Sequence, residues 1–124
     1  MRFRPIFAVL VAFCAACGGN SSPSNPNNPS NPYTITISSA GVVSPKQLTV
    51  PPGTRVLFVN NDSRAHDMAS DPHPDHLDCP ELNRGVLNPG QSRESENLVT
   101  VRTCGFHDHN DPDRVDLRGS IVIR

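Results

Sequence analysis

Apolar and polar residues alternate with a period of two in several short segments, and this pattern constrains the fold more than any other feature. Residues 33–38 read Tyr-Thr-Ile-Thr-Ile-Ser, and residues 47–50 and 55–60 have a similar β-branched, apolar character. Such segments are typical of β-strands that bury one face. Residues 97–102 and 120–124 are further strand candidates. No segment has a convincing apolar stripe at helical spacing.

Proline and glycine separate these segments. Residues 51–53 (Pro-Pro-Gly) and 88–90 (Asn-Pro-Gly) predict turns, because proline fixes φ and glycine accepts a positive φ. Short strands with turns between them predict an all-β Greek-key sandwich or barrel of about seven or eight strands. Residues 33–124 are enough chain for one such domain.

The N-terminal residues have the features of an export signal. Arg2 and Arg4 precede an apolar stretch at residues 6–16. This stretch is shorter than the ~20 residues needed to span a bilayer, and it suits the central region of a secretory signal. Small residues precede Cys17, as in the bacterial lipobox. We therefore expect a lipoprotein signal peptide at residues 1–17 that ends at a lipidated Cys17.

A spacer follows the expected lipid anchor. Residues 18–32 consist entirely of Gly, Asn, Ser and Pro, which have little apolar surface to bury, so we expect a solvated linker. The residue after the cysteine is Gly18 rather than Asp, which favours the outer membrane. The expected location is the periplasm, with the domain tethered to the membrane by lipid. A cleaved signal without lipid is the alternative, and it also leads to export.

Charge and motifs exclude several functions. The chain has 11 Lys and Arg against 12 Asp and Glu, a net charge of −1, and the two signs are mixed along its length. Nucleic-acid binding needs a concentrated basic surface, so we expect no nucleic-acid partner. The sequence has neither the Gly-x-Ser-x-Gly motif of a hydrolase nor a phosphate-binding glycine loop, and we do not expect an enzyme.

Histidine and cysteine are concentrated in two segments that we interpret as loops, residues 66–80 and 104–109. In chain order these residues are His66, His73, His76, Cys79, Cys104, His107 and His109. Imidazole and thiolate are ligands that suit copper and zinc. The sequence therefore predicts a metal site at which the two segments meet.

The first segment and the residues before it resemble the plastocyanin-like cupredoxins. Residues 50–62 contain a Pro-Gly turn and a strand that ends at Asn60, and they lead to His66. In that family a histidine ligand follows such a strand. Residues 87–92 resemble the second turn of the family.

The C-terminal part of the chain continues this resemblance. Cys104-x-x-His107 followed by residues 118–123 is similar to the family's closing ligand loop and last strand. The resemblance covers residues 33–124 and implies a cupredoxin-like β-sandwich.

The resemblance also implies a function. His66, Cys104 and His107 would bind one copper ion in the trigonal arrangement of a blue-copper site, which has a weak axial fourth ligand. No Met follows His107 in residues 108–117, so the axial position is either vacant or filled by His109, a carboxylate or a backbone oxygen. The protein would be a monomeric one-electron carrier in the bacterial envelope, with a soluble or membrane redox protein as partner.

A disulfide between Cys79 and Cys104 is the competing interpretation, since exported proteins commonly pair their cysteines. It would remove the thiolate ligand. The protein would then be a non-redox copper or zinc binding or delivery protein with a histidine-rich site. His73 and His76 lie in an apparent insertion at residues 71–79, and either form an accessory site or belong to a polar loop.

We expect Cys17→Ser to abolish incorporation of fatty acid, because the lipid would be attached to that thiol. Metabolic labelling of cells that express the full chain measures this, with Cys14→Ser as the control that keeps the label. Label retained by Cys17→Ser would contradict the assignment.

Overall fold

The computed structural model of the protein describes residues 31–124. The expected signal peptide at residues 1–17, its Cys17, and the spacer up to residue 30 lie outside the described residues. Within residues 31–124, no helix is long and apolar enough to cross a membrane.

The described chain consists of eight short strands and two 3₁₀ turns. The strands are β1 (Thr34–Ile37), β2 (Val43–Ser44), β3 (Gln47–Val50), β4 (Leu57–Asn60), β5 (Met68–Ser70), β6 (Ser92–Glu94), β7 (Arg102–Asp108) and β8 (Gly119–Ile123). The 3₁₀ turns are Pro80–Leu82 and Val115–Leu117. The all-β architecture predicted from the alternating segments is confirmed.

The strands form two mixed four-stranded sheets. The first has the order β2-β1-β4-β6, and the second has the order β3-β8-β7-β5. Strands β1 and β4 are parallel, as are β3 and β8, and the other pairs are antiparallel. Strand β7 lies between β5 and β8, which places its residues near the centre of the second sheet.

The core lies where apolar side chains of the two sheets meet. Ile35 of the first sheet and Ile121 of the second are completely buried members of the same cluster. Phe58 of β4 contacts Phe106 of β7 edge to face, with ring centroids 5.5 Å apart. Burial of each such side chain contributes roughly 1.5–3 kcal/mol. Met68 of β5 is also a buried member of this cluster.

Asn60, the last residue of β4, holds the loop that carries His66. Its Nδ2 donates to the backbone carbonyls of Arg64 (2.8 Å) and Leu87 (2.9 Å), and its Oδ1 accepts a hydrogen bond from the backbone N–H of Asp62 at 2.9 Å. The side chain is completely buried. These three bonds satisfy a polar group that would otherwise be costly to bury.

Residues 97–102 do not form the strand predicted for them. Leu98 makes one isolated β-bridge, whereas Val99 and Val101 are 61% and 68% exposed. The regular strand begins only at Arg102. Leu98 is completely buried, so the apolar character of this segment reflects burial at Leu98 and not at Val99 and Val101.

The predicted loop containing Cys104 and His107 is instead part of β7. Its glycine, cysteine and histidine residues lack the alternation by which strands are recognised in a sequence. Pairing with β5 on one side and β8 on the other stabilises the extended backbone. Cys104 and His107 are therefore held by a central strand rather than by a loop.

A disulfide joins Cys79 to Cys104 of β7, with Cα atoms 5.7 Å apart. Both cysteines are completely buried and belong to the apolar core. The bond fixes the end of residues 71–79 to the centre of the second sheet. We call residues 71–79, which follow β5 directly, the histidine loop.

We expect the double variant Cys79→Ala, Cys104→Ala to lose roughly 2–5 kcal/mol of unfolding free energy, because the unfolded chain regains the entropy that the cross-link removes. Urea denaturation of residues 31–124 measures this loss. Ser63→Ala, a change in an exposed loop residue, is the control that should leave stability nearly unchanged. A double variant as stable as the wild type would contradict the disulfide.

Candidate metal centre

Four histidines from two segments form a cluster on the second sheet. His107 lies near the end of β7 and His109 follows that strand, whereas His73 and His76 belong to the histidine loop. One ring nitrogen from each histidine can be chosen so that all four atoms lie within 4.8 Å of one another. A single ion could therefore contact all four rings after small side-chain movements.

Backbone contacts hold the histidine loop over β7. The backbone N–H of Asp71 donates to the carbonyl of Gly105 in β7 at 3.0 Å. Within the loop, the N–H of His76 donates to the carbonyl of Pro72 at 2.7 Å. The Asn83 side chain donates to the carbonyl of His76 at 2.9 Å. Together with the disulfide, these bonds fix both ends and the middle of the loop.

His76 is oriented through a backbone acceptor. Its Nδ1 lies 2.7 Å from the carbonyl oxygen of Ser70, which can only accept, so Nδ1 carries the proton. Its Nε2 then presents a lone pair to Nδ1 of His109, 2.8 Å away. A metal ion can take the place of the proton that these two nitrogens share. Nε2 of His76 and Nδ1 of His109 are therefore the ligand atoms that this geometry offers.

His107 is buried and has one free nitrogen. Its Nδ1 lies 2.6 Å from Oδ1 of Asp71, so an ionised carboxylate there receives the Nδ1 proton. Its Nε2 is buried and has no hydrogen-bond partner among residues 31–124. A buried polar atom without a partner is costly in a folded protein, and a bound metal ion would satisfy it.

Crowding of the rings favours the neutral form of His73. Its pKa is lowered, first by desolvation and then by the positive charge that His109, His107 and His76 carry when protonated. Asp113 acts in the opposite direction. A neutral imidazole is the form that binds metal. The surroundings of His73 therefore prepare it as a ligand.

The donor set fits copper or zinc. Four neutral imidazoles are borderline ligands that suit these ions, whereas calcium and magnesium prefer oxygen. In His107 and His76, the N–H of the second ring nitrogen also donates a hydrogen bond to a protein oxygen, as it almost always does in metal-binding histidines.

No protein-family model and no curated protein matches the sequence. The structure is similar to that of a purple cupredoxin from Nitrosopumilus maritimus, with a TM-score of 0.60 and 23% identity over 73% of this chain and 98% of that one. It is also similar to oxidized plastocyanin from Dryopteris crassirhizoma, with a TM-score of 0.58 and 18% identity over 73% and 99% of the two chains. A mutant of amicyanin in the Cu(I) form gives a TM-score of 0.54 and 18% identity, over 73% and 80%.

The chain has the cupredoxin-like fold. The fold expected from the resemblance in the sequence is thereby confirmed for the described residues.

The ligand arrangement expected from the sequence differs from the structure at Cys104. Its sulfur is bonded to Cys79, so it is not available as a thiolate. Cys104 also belongs to the apolar core between the sheets. Because successive residues of a strand face opposite sides, Gly105 and His107 lie on the other face of β7. Of the two interpretations of Cys79 and Cys104, the disulfide is the one found.

His66 is likewise separate from the four-histidine cluster. Its Nδ1 lies 2.7 Å from Oδ2 of Asp108, and its Nε2 lies 2.9 Å from Oδ2 of Asp62. All three side chains are at most 3% exposed. Successive residues of a strand point to opposite faces, so Asp108 holds His66 on the other face of β7 from His107. The expected pairing of His66 with His107 around one ion is therefore not formed.

The sequence alone did not show whether His73 and His76 form part of a histidine cluster or lie in a polar loop, and the structure places both in the cluster. The fixed position of Cys79 brings the loop before it onto β7, beside His107 and His109. The sequence signals were the His-x-x-His spacing of His73 and His76 and the nearby cysteine. His109, expected as an axial or alternative ligand, lies in the cluster.

We expect Asp62 to make the fold sensitive to acid between about pH 4 and pH 2. The pKa of its carboxyl is lowered from 3.8 to about 2, chiefly by the hydrogen bond with His66 and further by Arg64, against the opposing effect of burial. The stabilisation is complete above the ordinary pKa and is lost as the pH falls through the lowered one. Urea denaturation across this range should give a shallower pH dependence for Asp62→Asn than for the wild type. Equal slopes would contradict this role.

Proposed function

We propose that this protein binds one copper ion through His73, His76, His107 and His109, on the outer face of a cupredoxin-like sandwich. The observation that carries the proposal is the cluster of four imidazoles, whose ligand atoms lie within 4.8 Å of one another. The unpartnered, buried Nε2 of His107 supports it.

Two considerations favour copper over zinc. The general order of affinity of nitrogen sites for divalent first-row metals has its maximum at copper. In addition, the similar structures include an amicyanin mutant in the Cu(I) form, an oxidized plastocyanin and a purple cupredoxin.

For the role of the copper, we propose binding and delivery. A blue-copper site depends on a thiolate ligand, and the sulfur of Cys104 is bonded to Cys79. An all-imidazole site leaves the ion coordinated by neutral ligands near the surface, where His73 and His109 are exposed. Exposed ligands give a partner direct access to the metal, as transfer of the ion requires.

One-electron transfer is the second candidate, favoured by the cupredoxin-like fold itself. The rigid sandwich holds His107 on a central strand. Reversible electrochemistry of the copper-loaded protein with fast electron exchange would favour this role. Irreversible loss of copper on reduction would favour delivery.

We also propose that the protein acts in the bacterial periplasm, attached to the outer membrane through Cys17. The disulfide supports export, because disulfides form and persist in oxidising compartments and are rare in the cytosol. The charged and apolar residues before Cys17 support the lipid anchor.

We expect Cu(II) to bind in one equivalent and to produce only weak visible absorption, since no thiolate contributes a charge-transfer band. His76→Ala and His107→Ala should each weaken Cu(II) binding by more than about tenfold, because loss of a ligand costs at least as much as loss of its outer-shell partner. Isothermal titration and absorption spectroscopy measure both properties.

His66→Asn is the matched control, because it removes an imidazole that lies outside the cluster. This variant should retain the copper affinity and spectrum of the wild type as long as circular dichroism shows a folded protein. Loss of copper binding in folded His66→Asn, with His76→Ala unaffected, would overturn the proposed site.

A further inference from the structure

Asp71 is the only carboxylate bonded to a ring of the cluster within residues 31–124. Its Oδ1 lies 2.6 Å from Nδ1 of His107, and its own backbone N–H donates to the carbonyl of Gly105 at 3.0 Å. The side chain is 28% exposed, and the His107 ring is 1% exposed. The pair therefore lies at the edge of the buried part of the cluster.

Gly105 provides the space that this carboxylate occupies. A Cβ atom added at Gly105 would lie 2.2 Å from Oδ2 of Asp71 and 3.0 Å from its Cγ. Real side chains do not approach so closely, so any other residue at this position would displace the carboxylate. Gly105 and His107 are two residues apart on β7 and point to the same face, which explains why Asp71 reaches both.

The contact sets the chemical state of His107. An ionised carboxylate accepts the proton of Nδ1, which leaves the lone pair on Nε2, the atom that has no partner within the described chain. His76 is oriented by the neutral carbonyl of Ser70 instead. Among the four rings, His107 is thus the one whose basicity a directly hydrogen-bonded carboxylate increases.

We propose that Asp71, seated against Gly105, is a positioning residue that aims Nε2 of His107 at the copper ion and makes the site prefer Cu(II) to Cu(I). The preference follows because an anionic partner increases electron donation by the ring, and the more highly charged ion gains more from it. This inference rests on the proposed copper site.

The first test replaces the carboxylate by an amide of the same shape. Asp71→Asn should lower the affinity for Cu(II) by roughly 10- to 100-fold, as expected for an outer-shell partner of a ligand. The affinity for Cu(I) should fall less, so the ratio of the Cu(II) affinity to the Cu(I) affinity should decrease, and competition titrations with each ion measure this ratio. Asp75→Asn is the matched control, because it removes the same negative charge from the same loop. Asp75 is exposed and makes no hydrogen bond to any of the four rings.

The second test moves the carboxylate without changing any charge. Gly105→Ala places a methyl group where Oδ2 of Asp71 lies, so the carboxylate must turn away from His107. We expect a loss of Cu(II) affinity in the same direction as for Asp71→Asn. Should Asp71→Asn fail to fold, Gly105→Ala decides the question.

A spectroscopic measurement separates positioning from a merely structural role. Pulsed electron paramagnetic resonance of the Cu(II) protein detects the ring nitrogen of each imidazole that is not bound to the metal. For His107 this nitrogen is Nδ1, which donates to Asp71. We expect the quadrupole coupling of one such nitrogen to change in Asp71→Asn and in Gly105→Ala, and not in Asp75→Asn.

Unchanged affinity and unchanged coupling in both variants would overturn the role of Asp71 and leave the copper site intact. Lower affinity with unchanged coupling, or an unchanged ratio of Cu(II) to Cu(I) affinity in Asp71→Asn, would also overturn it. A wild-type protein that binds no copper would overturn both the role of Asp71 and the proposed function.

Discussion

The bond between Cys79 and Cys104 is the constraint on which the candidate metal centre depends. It fixes the end of the histidine loop to a central strand, with both sulfur atoms buried in the core. Asp71, bonded to the backbone of Gly105, fixes the beginning of the same loop. Because both ends of the loop are anchored to β7, the residues between them cover the outer face of this strand. His73 and His76 therefore lie beside His107. The same sulfur that a blue-copper site would use as a ligand serves here as a covalent anchor.

The alternation of side chains along β7 separates two groups of polar residues. His107 points outward, where the histidine loop covers it. Asp108 points to the other face and holds His66, which also bonds to Asp62. In this second group both ring nitrogens of His66 lie within hydrogen-bond distance of a carboxylate oxygen, so neither nitrogen is left without a partner. The upstream histidine that resembles a cupredoxin ligand is therefore bonded to two carboxylates in the described chain, and the candidate site consists of residues on the opposite face.

Much of the fold could be predicted from the sequence, because strands such as β1 and β3 bury one face and display it as alternation. Strand β6 could not, since all three of its residues are exposed. The sequence did not indicate β7 as a strand, because its buried residues include cysteine, histidine and aspartate, whose burial depends on partners distant in the sequence. The sequence also indicated part of the candidate site, namely the residue types and His107 and His109 as possible ligands. The choice between a thiolate and a disulfide depended on whether Cys79 lies close to Cys104 in the fold. The distance between two residues that are far apart in the chain cannot be read from a local sequence pattern.

The central claim is that copper is coordinated by imidazole nitrogens on the outer face of β7 and by no sulfur. X-ray absorption spectroscopy at the copper edge tests it most directly, because the fine structure distinguishes nitrogen from sulfur neighbours and shows the multiple scattering of imidazole rings. For protein loaded with one equivalent of Cu(II), the account predicts a first shell of nitrogen or oxygen atoms, with imidazole scattering and no sulfur. A sulfur atom in the first shell would contradict it, since all four ligands of the proposed site are imidazoles.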